Sequence, residues 1–457
     1  MATDRYVLQD KVIEDKNSIQ AQYSKLEINR ETYLERARDC AKLTIPTLFP
    51  AKGINEATEF QTPYQSIGAR GVMNLASKLM LALFPPHSPF FRLSVDDLVY
   101  KQIQADPKQK TVLEQGLAKI EKAVMDKKLA PKNSFALGAE KLQRRVRDEL
   151  GLDYSLGQIE AVALDESEKI GELLKAACRK HGGGKRAEDI IEEARSKWKP
   201  PGDLLEYYQT ETKRVANGFR SVKAVRFPSG DELQVRLVPE FMRHLYPTAA
   251  YSSPGPFEKR QRGIFWVNDL SLSKTSPAAK LAEVQQHFGV SLTCAHEAYP
   301  GHHLQFVTAN KHKRKWRPLF AHAVFYEGWT LWCEQMMVDL KIDPSPWTKI
   351  VQLHDALWRV HRILVDLRLQ SGRYTYEQGV RHLQKYVGFT KARAEADVNW
   401  YTSSPAVPMS YWLGRLENAR LYKRLVEGRG WSLKKFNNWL LSHGTLPQSW
   451  LEKYMLD

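Results

Sequence analysis

Three histidines and two glutamates have the residue types and spacing of a metal site. His296, Glu297, His302 and His303 lie within one eight-residue segment, and Glu327 follows about two dozen residues later. Imidazole nitrogens and a carboxylate oxygen can hold zinc as three ligands and leave a fourth position for water, which the metal acidifies. A glutamate directly after the first ligating histidine can face that water and take its proton. The pattern therefore predicts a zinc centre with His296 and Glu327 as ligands and Glu297 as general base.

The spacing leaves the second histidine ligand open. In an unbroken helix, position i+7 returns to the starting face, which favours His303 as the partner of His296. Pro300 and Gly301 interrupt such a helix, because proline removes a backbone donor and glycine permits unusual dihedral angles. The interruption makes His302 an equal candidate, and the histidine that the metal does not use is then free to hydrogen-bond a ligand or the substrate.

Two motifs carry a family resemblance. The segment His296-Glu-Ala-Tyr-Pro-Gly-His-His-Leu-Gln305, followed by Tyr326-Glu-Gly-Trp329, resembles a large bacterial family of helical proteins called a domain of unknown function. That family is taken to consist of zinc-dependent peptidases akin to the Taq-type carboxypeptidases. The resemblance covers roughly residues 130–457, and it implies a helical metallopeptidase-like domain, a bound Zn2+ and a peptide substrate.

The same resemblance assigns roles to further residues. Tyr411 and Arg415 are four apart and so share a helical face, and the resemblance makes them candidates for polarising a scissile carbonyl or holding a substrate carboxylate. Packing and solvation are their alternative roles. Glu334 is expected either to orient a ligating histidine or to pair with a nearby cation. Gln370 departs from the family pattern, which has histidine there, and a long helical region that normally precedes this part is absent, so weak activity is expected.

The first part of the chain resembles a different family of proteins. Residues 43–50, 61–71 and 74–85 are similar to the N-terminus of the portal, or head-tail connector, protein of short-tailed phages. The similarity fades near Lys127, which predicts a portal-like fragment over residues 1–127 and a peptidase-like domain over residues 128–457. The alternative functions are therefore a virion component involved in DNA packaging, with nucleic acid as a partner in that case alone, or a chimeric chain with no integrated function.

Composition bounds the class of protein. Of 457 residues, 43% are hydrophobic and 26% charged, which is ordinary for a globular protein. We expect no membrane partner, because the sequence has neither an apolar run of about 18 residues nor an N-terminal hydrophobic segment of the secretory type. Four scattered cysteines suit a reducing compartment, so a cytoplasmic location is expected, or the virion if the portal alternative holds. The oligomeric state stays open.

The net charge of +16 is concentrated in the second part. Residues 1–127 contain 18 basic and 16 acidic residues, and the remainder contains 50 and 36. The densest basic run, residues 311–317, has one interleaved aromatic residue and no recognisable nucleic-acid module. A solvated loop between helices is the favoured interpretation of this run.

The candidate metal-site residues must be positioned by the fold, which the sequence predicts to be mainly α with a small β-sheet. Helical patterns cover residues 1–44, 67–84 and 106–126, then 155–178, 187–198 and 203–215. Alternating apolar residues about Ser229 and Gly230 predict a hairpin of residues 222–227 and 233–237, with a third strand at 263–267. From Pro277 onward the pattern is helical again. The metal site is therefore expected between helices, beside a small sheet.

Overall fold

A computed structural model describes residues 135–238, 243, 246, 248–314, 317–319 and 321–455. Apart from Arg243, all of these residues belong to one unit of the chain. The helices predicted within residues 1–127, and the portal-like segment that contains them, lie outside the described residues.

The described chain is mainly helical with one three-stranded sheet, which confirms the predicted fold class. Four helices precede the sheet: α1 Ala139–Asp148, α2 Leu156–Gly182, α3 Ala187–Lys197 and α4 Leu204–Ser221. The strands are β1 Asp231–Leu237, β2 Ala249–Ser252 and β3 Gln261–Val267. The helices that follow are α5 Pro277–Gln285, α6 Val290–Glu297, α7 His302–Asn310, α8 Ala323–Asp339, α9 Pro346–Gln370, α10 Tyr376–Val387, α11 Lys391–Ser403, α12 Val407–Tyr422, α13 Leu433–Ser442 and α14 Gln448–Met455.

Side-chain caps explain where several helices begin. Ser155 caps α2 by accepting a hydrogen bond from the backbone of Gln158, whose side chain in turn binds the backbone of Ser155. Asp203 accepts hydrogen bonds from two backbone N–H groups in the first turn of α4. Such caps satisfy donors that a helix start leaves unpaired. The predicted starts of α2 and α4 are therefore confirmed, although α4 runs six residues past its predicted end.

The predicted hairpin is wrong. Residues 222–227 form no strand, and β1 instead pairs in parallel with β3, giving the strand order β1-β3-β2. The reason lies in burial, because the adjacent residues Ala224 and Val225 are both buried, whereas a strand with one buried face alternates. Side chains of helix α13 also form hydrogen bonds with the backbone of this segment. Asn437 donates to the carbonyl of Ala224, and Asn438 accepts from the N–H of Arg226.

Hydrophobic cores hold the sheet and the helices around the site. One core joins the inner residues of β3 to α4, α6 and α8 and contains Phe265, Tyr208, Phe219 and Trp329. A second joins α2, α9 and α12. The three described cysteines are buried free thiols. Within the described part of the chain, no helix combines the length and hydropathy that a membrane span requires.

Candidate metal centre

A break between two helices positions the histidines. Helix α6 ends at Glu297 and α7 begins at His302, so the two helices place His296 and His302 on separate axes. Gly301 is required at the break, because a Cβ there would lie 1.8 Å from the carbonyl oxygen of His296. The indole of Trp329 on α8 donates a hydrogen bond to the carbonyl of Pro300, which fixes the break against α8.

His296, His302 and Glu327 come together as a candidate metal-binding cluster. One ligand atom from each lies within 4.8 Å of the others. The Nε2 atoms of both histidines are 3.6 Å from the same carboxylate oxygen, Oε2 of Glu327. Each of the three residues is at most 9% exposed. The sequence left His302 and His303 as alternatives, and the structure brings His302 into the cluster.

The cluster fits a metal ion in two respects. Zinc bonds of about 2.1 Å in tetrahedral geometry separate neighbouring ligand atoms by about 3.4 Å, close to the two observed separations from Glu327. The Oε2 atom of Glu327 is also buried without a hydrogen-bond partner. A buried acceptor without a partner costs free energy, which coordination of a cation at that oxygen would offset.

The charges around the cluster favour a cation. Burial lowers the pKa of His296, but the carboxylates of Glu327, Glu334 and Glu297 outweigh it and raise that pKa to about 10. Burial likewise raises the pKa of Glu327, yet the imidazoles of His302 and His296 hold it well below its ordinary value. Negative charge therefore dominates the space between these side chains.

Glu334 orients the first histidine from behind. It lies two helical turns after Glu327 on α8, and its Oε1 atom is 2.7 Å from Nδ1 of His296. A carboxylate at Nδ1 fixes the ring so that Nε2 faces the cluster, which is the usual outer partner of a ligating histidine. Arg359 on α9 lies 3.6 Å from the same carboxylate, so Glu334 contacts both a candidate ligand and a cation.

His303 lies outside the cluster. Its Nε2 is 3.1 Å from the carboxylate of Asp231 at the start of β1, and its Nδ1 is 3.0 Å from the hydroxyl of Tyr251 on β2. Burial lowers the pKa of His303, so the ring is neutral and donates to Asp231 while accepting from Tyr251. Of the two alternatives, His303 is therefore the one whose ring contacts the sheet, because the break before α7 turns it toward β1 and β2.

Glu297 is next to the cluster but not part of it. Its carboxylate is partly buried and raises the pKa of His296 and, after the larger effect of burial, that of Tyr246. Glu327 faces His296 from helix α8.

Tyr411 is brought to the cluster by a close helix contact. Helices α8 and α12 meet at Gly328 and Gly414, where a Cβ on Gly328 would lie 2.4 Å from the backbone of Gly414. This contact sets Tyr411 beside Glu327. Burial and then the negative charge of Glu327 raise the pKa of Tyr411 well above its ordinary value.

Arg415 does not accompany Tyr411. Its guanidinium lies over the rings of Trp332 and Trp412, and the charges that act on it are those of Glu166 and Asp339. A different cation, Arg362 of α9, lies beside Tyr411, with its Cζ atom 4.9 Å from the ring centre. One arginine among many in a helical stretch gives no sequence signal of this kind.

Gln370 is fully buried at the end of α9. Its amide donates to the backbone carbonyl of Tyr401, and its oxygen has no hydrogen-bond partner. Asp366, one turn earlier, is also fully buried and accepts from the N–H of Ala406. The residue that replaces the expected histidine therefore joins α9 to the end of α11.

Comparison with known proteins confirms the resemblance of the N-terminal segment to portal proteins. The chain is 44% identical over 106 residues to the portal protein of Enterobacteria phage T3 and 44% identical over 104 residues to that of Escherichia phage T7. Each match covers 23% of this chain and 20% or 19% of the portal protein. The chain therefore spans about a fifth of the length of these relatives.

Comparison with solved structures and families extends over most of the chain. A candidate lipoprotein from Colwellia psychrerythraea has a TM-score of 0.72 at 22% identity, over 93% of this chain and 76% of that one. A candidate lipoprotein of unknown function from Shewanella oneidensis has a TM-score of 0.65 at 17% identity, over 98% and 92%. These likenesses show the fold alone. A family described as bacterial proteins of unknown function, DUF885, matches residues 75–455. Because that match covers most of the sequence, the chain belongs to the DUF885 family.

Proposed function

We propose that the chain is a metal-dependent hydrolase of peptide bonds, with zinc held by His296, His302 and Glu327. The observation that carries the proposal is the closed cluster of these three ligands around a Glu327 oxygen that has no hydrogen-bond partner. Two imidazoles and one carboxylate form a ligand set of catalytic zinc sites. Zinc bound there would supply Lewis acidity and lower the pKa of water.

The side chains around the cluster supply the remaining chemistry. Glu297 takes the proton of the attacking water and passes it to the leaving amine, a role supported by its partly buried carboxylate next to ligand His296. Tyr411 donates a hydrogen bond to the substrate carbonyl oxygen as that oxygen gains negative charge. Its raised pKa supports this role, because the phenol keeps its proton at neutral pH.

The experiment combines metal analysis with a peptide-library digest. We expect about one zinc per chain and weak hydrolysis of short peptides that a chelator removes and added zinc restores. Glu297→Gln should keep the zinc and lower the hydrolysis rate about 10²- to 10⁴-fold, the usual effect of losing a positioned general base.

Two outcomes would count against the proposal. Hydrolysis that survives both chelation and Glu297→Gln comes from a different site or a contaminant. Stoichiometric iron in place of zinc would redirect the assignment, because two histidines and one carboxylate also hold iron in oxygenases.

A second candidate function is a part in a phage head-tail connector. It is favoured by the 44% identity of the N-terminal segment to two portal proteins. A connector must assemble into rings and does not require Glu297. Sedimentation of the purified chain distinguishes the two proposals, since a ring that forms equally well with Glu297→Gln supports the connector role and a monomer argues against it.

A further inference from the structure

Arg362 on α9 is a buried cation that forms no direct ion pair with a described acidic residue. It is 7% exposed, and its Nε donates to the hydroxyl of Tyr401 at 3.2 Å. Among the described residues it forms no ion pair, and neither terminal nitrogen has a hydrogen-bond partner. Its neighbours on the same helix differ, because Arg359 pairs with Asp355 at 3.1 Å and Arg368 with Glu160 at 2.8 Å. The carboxylate of Asp397 accepts a hydrogen bond from the same Tyr401 hydroxyl at 2.7 Å, so it is linked to Arg362 through Tyr401 and not by a direct ion pair.

Aromatic rings surround this guanidinium. Its Cζ lies 3.8 Å from the ring centre of Trp358, 4.9 Å from that of Tyr411 and 5.1 Å from that of Trp400. Ring faces attract a cation and exclude water. They do not accept the N–H groups that point outward in the plane of the guanidinium, so the donors on the two terminal nitrogens remain available.

Two routes connect Arg362 to the metal cluster. Its guanidinium contacts the ring of Tyr411. The negative charge of Glu327 in turn adds to the effect of burial in raising the pKa of Tyr411. Arg359, one turn earlier on α9, lies beside Glu334, which orients His296. Helix α9 therefore passes along the cluster, and the guanidinium of Arg362 lies against the ring of Tyr411.

We propose that Arg362 binds a carboxylate of the substrate, which rests on the proposed peptide hydrolysis at the neighbouring cluster. A guanidinium offers two parallel N–H donors that match the two oxygens of a carboxylate. In a peptide, this group is either the C-terminal carboxylate or the side chain of Asp or Glu. Bound at Arg362, it would hold a nearby peptide carbonyl against Tyr411 and the metal ligands.

Arg415 provides the matched control. It too is a largely buried arginine packed on aromatic rings, and its Nε has no hydrogen-bond partner. It contacts no residue of the metal cluster. Loss of carboxylate binding on substitution of Arg362, but not of Arg415, separates a substrate site from a general effect of removing a buried arginine.

The experiment measures peptide binding by calorimetry in zinc-loaded Glu297→Gln protein, so that turnover does not interfere. Three acetylated tripeptides serve as probes: Ala-Ala-Phe as the free acid, the same peptide as its C-terminal amide, and the amide of Ala-Glu-Phe. We expect the free acid to bind about 10- to 100-fold more tightly than its amide, the effect of hydrogen bonds to a charged group. Tight binding by the Glu-containing amide instead identifies an acidic side chain as the source. Arg362→Gln should remove the preference, and Arg415→Gln should keep it.

Equal affinity for all three peptides overturns the proposal, as does a preference that survives Arg362→Gln. Where Arg362→Gln does not fold, Arg362→Lys keeps the charge but loses the planar pair of donors, and an unchanged preference in that variant also overturns it. The outcome is separable from that of the proposed function. Hydrolysis of acid and amide with equal KM leaves the peptidase proposal standing and removes this one, whereas an Arg362-dependent preference without any hydrolysis does the reverse.

Discussion

Two buried groups of histidines in this protein differ in the charges that surround them. His296 and His302 meet the carboxylates of Glu327 and Glu334, and the pKa of His296 rises to about 10 despite burial. His361 and His382 lie in the core between α9 and α10, with Nδ1 of the first 2.9 Å from Nε2 of the second. Burial, together with nearby cations, lowers their pKa values to about 4 and about 3.

Counter-charge, more than burial, separates these two groups. All four histidines are at most 9% exposed. In the pair of His361 and His382, three of the four ring nitrogens have a partner, since His382 also contacts the hydroxyl of Tyr374, which accepts a hydrogen bond from Arg368. A positive ion at that pair would face Arg368, whereas an ion at His296 and His302 would face carboxylates. We therefore expect a metal at the first group and none at the second.

The largest expected effect separates the two groups directly. His296→Ala should abolish zinc binding, because it removes a ligand and leaves Glu327 and Glu334 without the imidazole between them. His361→Ala should leave zinc stoichiometry unchanged. Metal analysis after gel filtration checks both variants, and stoichiometric zinc retained in His296→Ala would refute the ligand assignment.

A smaller effect on metal affinity is expected from Glu334→Gln. The amide keeps the shape of the side chain but removes the negative charge that orients His296 through Nδ1. Outer carboxylates of this kind typically contribute about 10- to 100-fold in affinity. Competition with a chromophoric chelator gives the dissociation constant. An affinity equal to that of the unchanged protein would show that the ring of His296 is positioned by packing alone.

The pair at His361 predicts a pH effect on stability instead. Below its ordinary pKa of about 6.5, an unfolded histidine binds a proton, whereas the folded pair stays neutral down to pH values near 4 and 3. The unfolded state then binds more protons, so stability falls as pH drops from about 6.5 toward 4. Comparing urea unfolding at pH 7 and pH 5 should show a loss on the order of 4 kcal/mol from this pair, which the double variant His361→Asn, His382→Gln reduces. An equal loss in that variant contradicts the prediction.

Substitution of His303 is expected to have the smallest effect on zinc affinity. This histidine has one carboxylate partner, Asp231, and so tests whether a single carboxylate suffices for a metal site. His303→Gln should change zinc affinity less than tenfold. Its cost should appear in the free energy of unfolding, about 1–3 kcal/mol, because Asp231 and Tyr251 lose a buried partner. A loss of zinc binding comparable to that of His296→Ala would return His303 to the ligand set.

Local sequence signals predicted much of the helical framework. Ser155 and Asp203 mark helix starts because their side chains satisfy backbone donors within the next three residues. The hairpin prediction failed because an apolar pattern does not say what the residues pack against. Ala224 and Val225 pack into the core while Asn437 and Asn438 of a distant helix take the backbone groups nearby.

The sequence by itself also determined the chemistry that the candidate site can offer. Two imidazoles and a carboxylate were fixed by residue type, and the two-turn spacing of Glu327 and Glu334 placed both on one face of a helix. Only the tertiary structure decided between His302 and His303, because the choice depends on the angle between two helices around Gly301. The approach of α8 and α12 at Gly328 and Gly414 likewise brought Tyr411 to the cluster without Arg415. Contacts of this kind join residues far apart in the chain, and their geometry depends on packing that no short segment encodes.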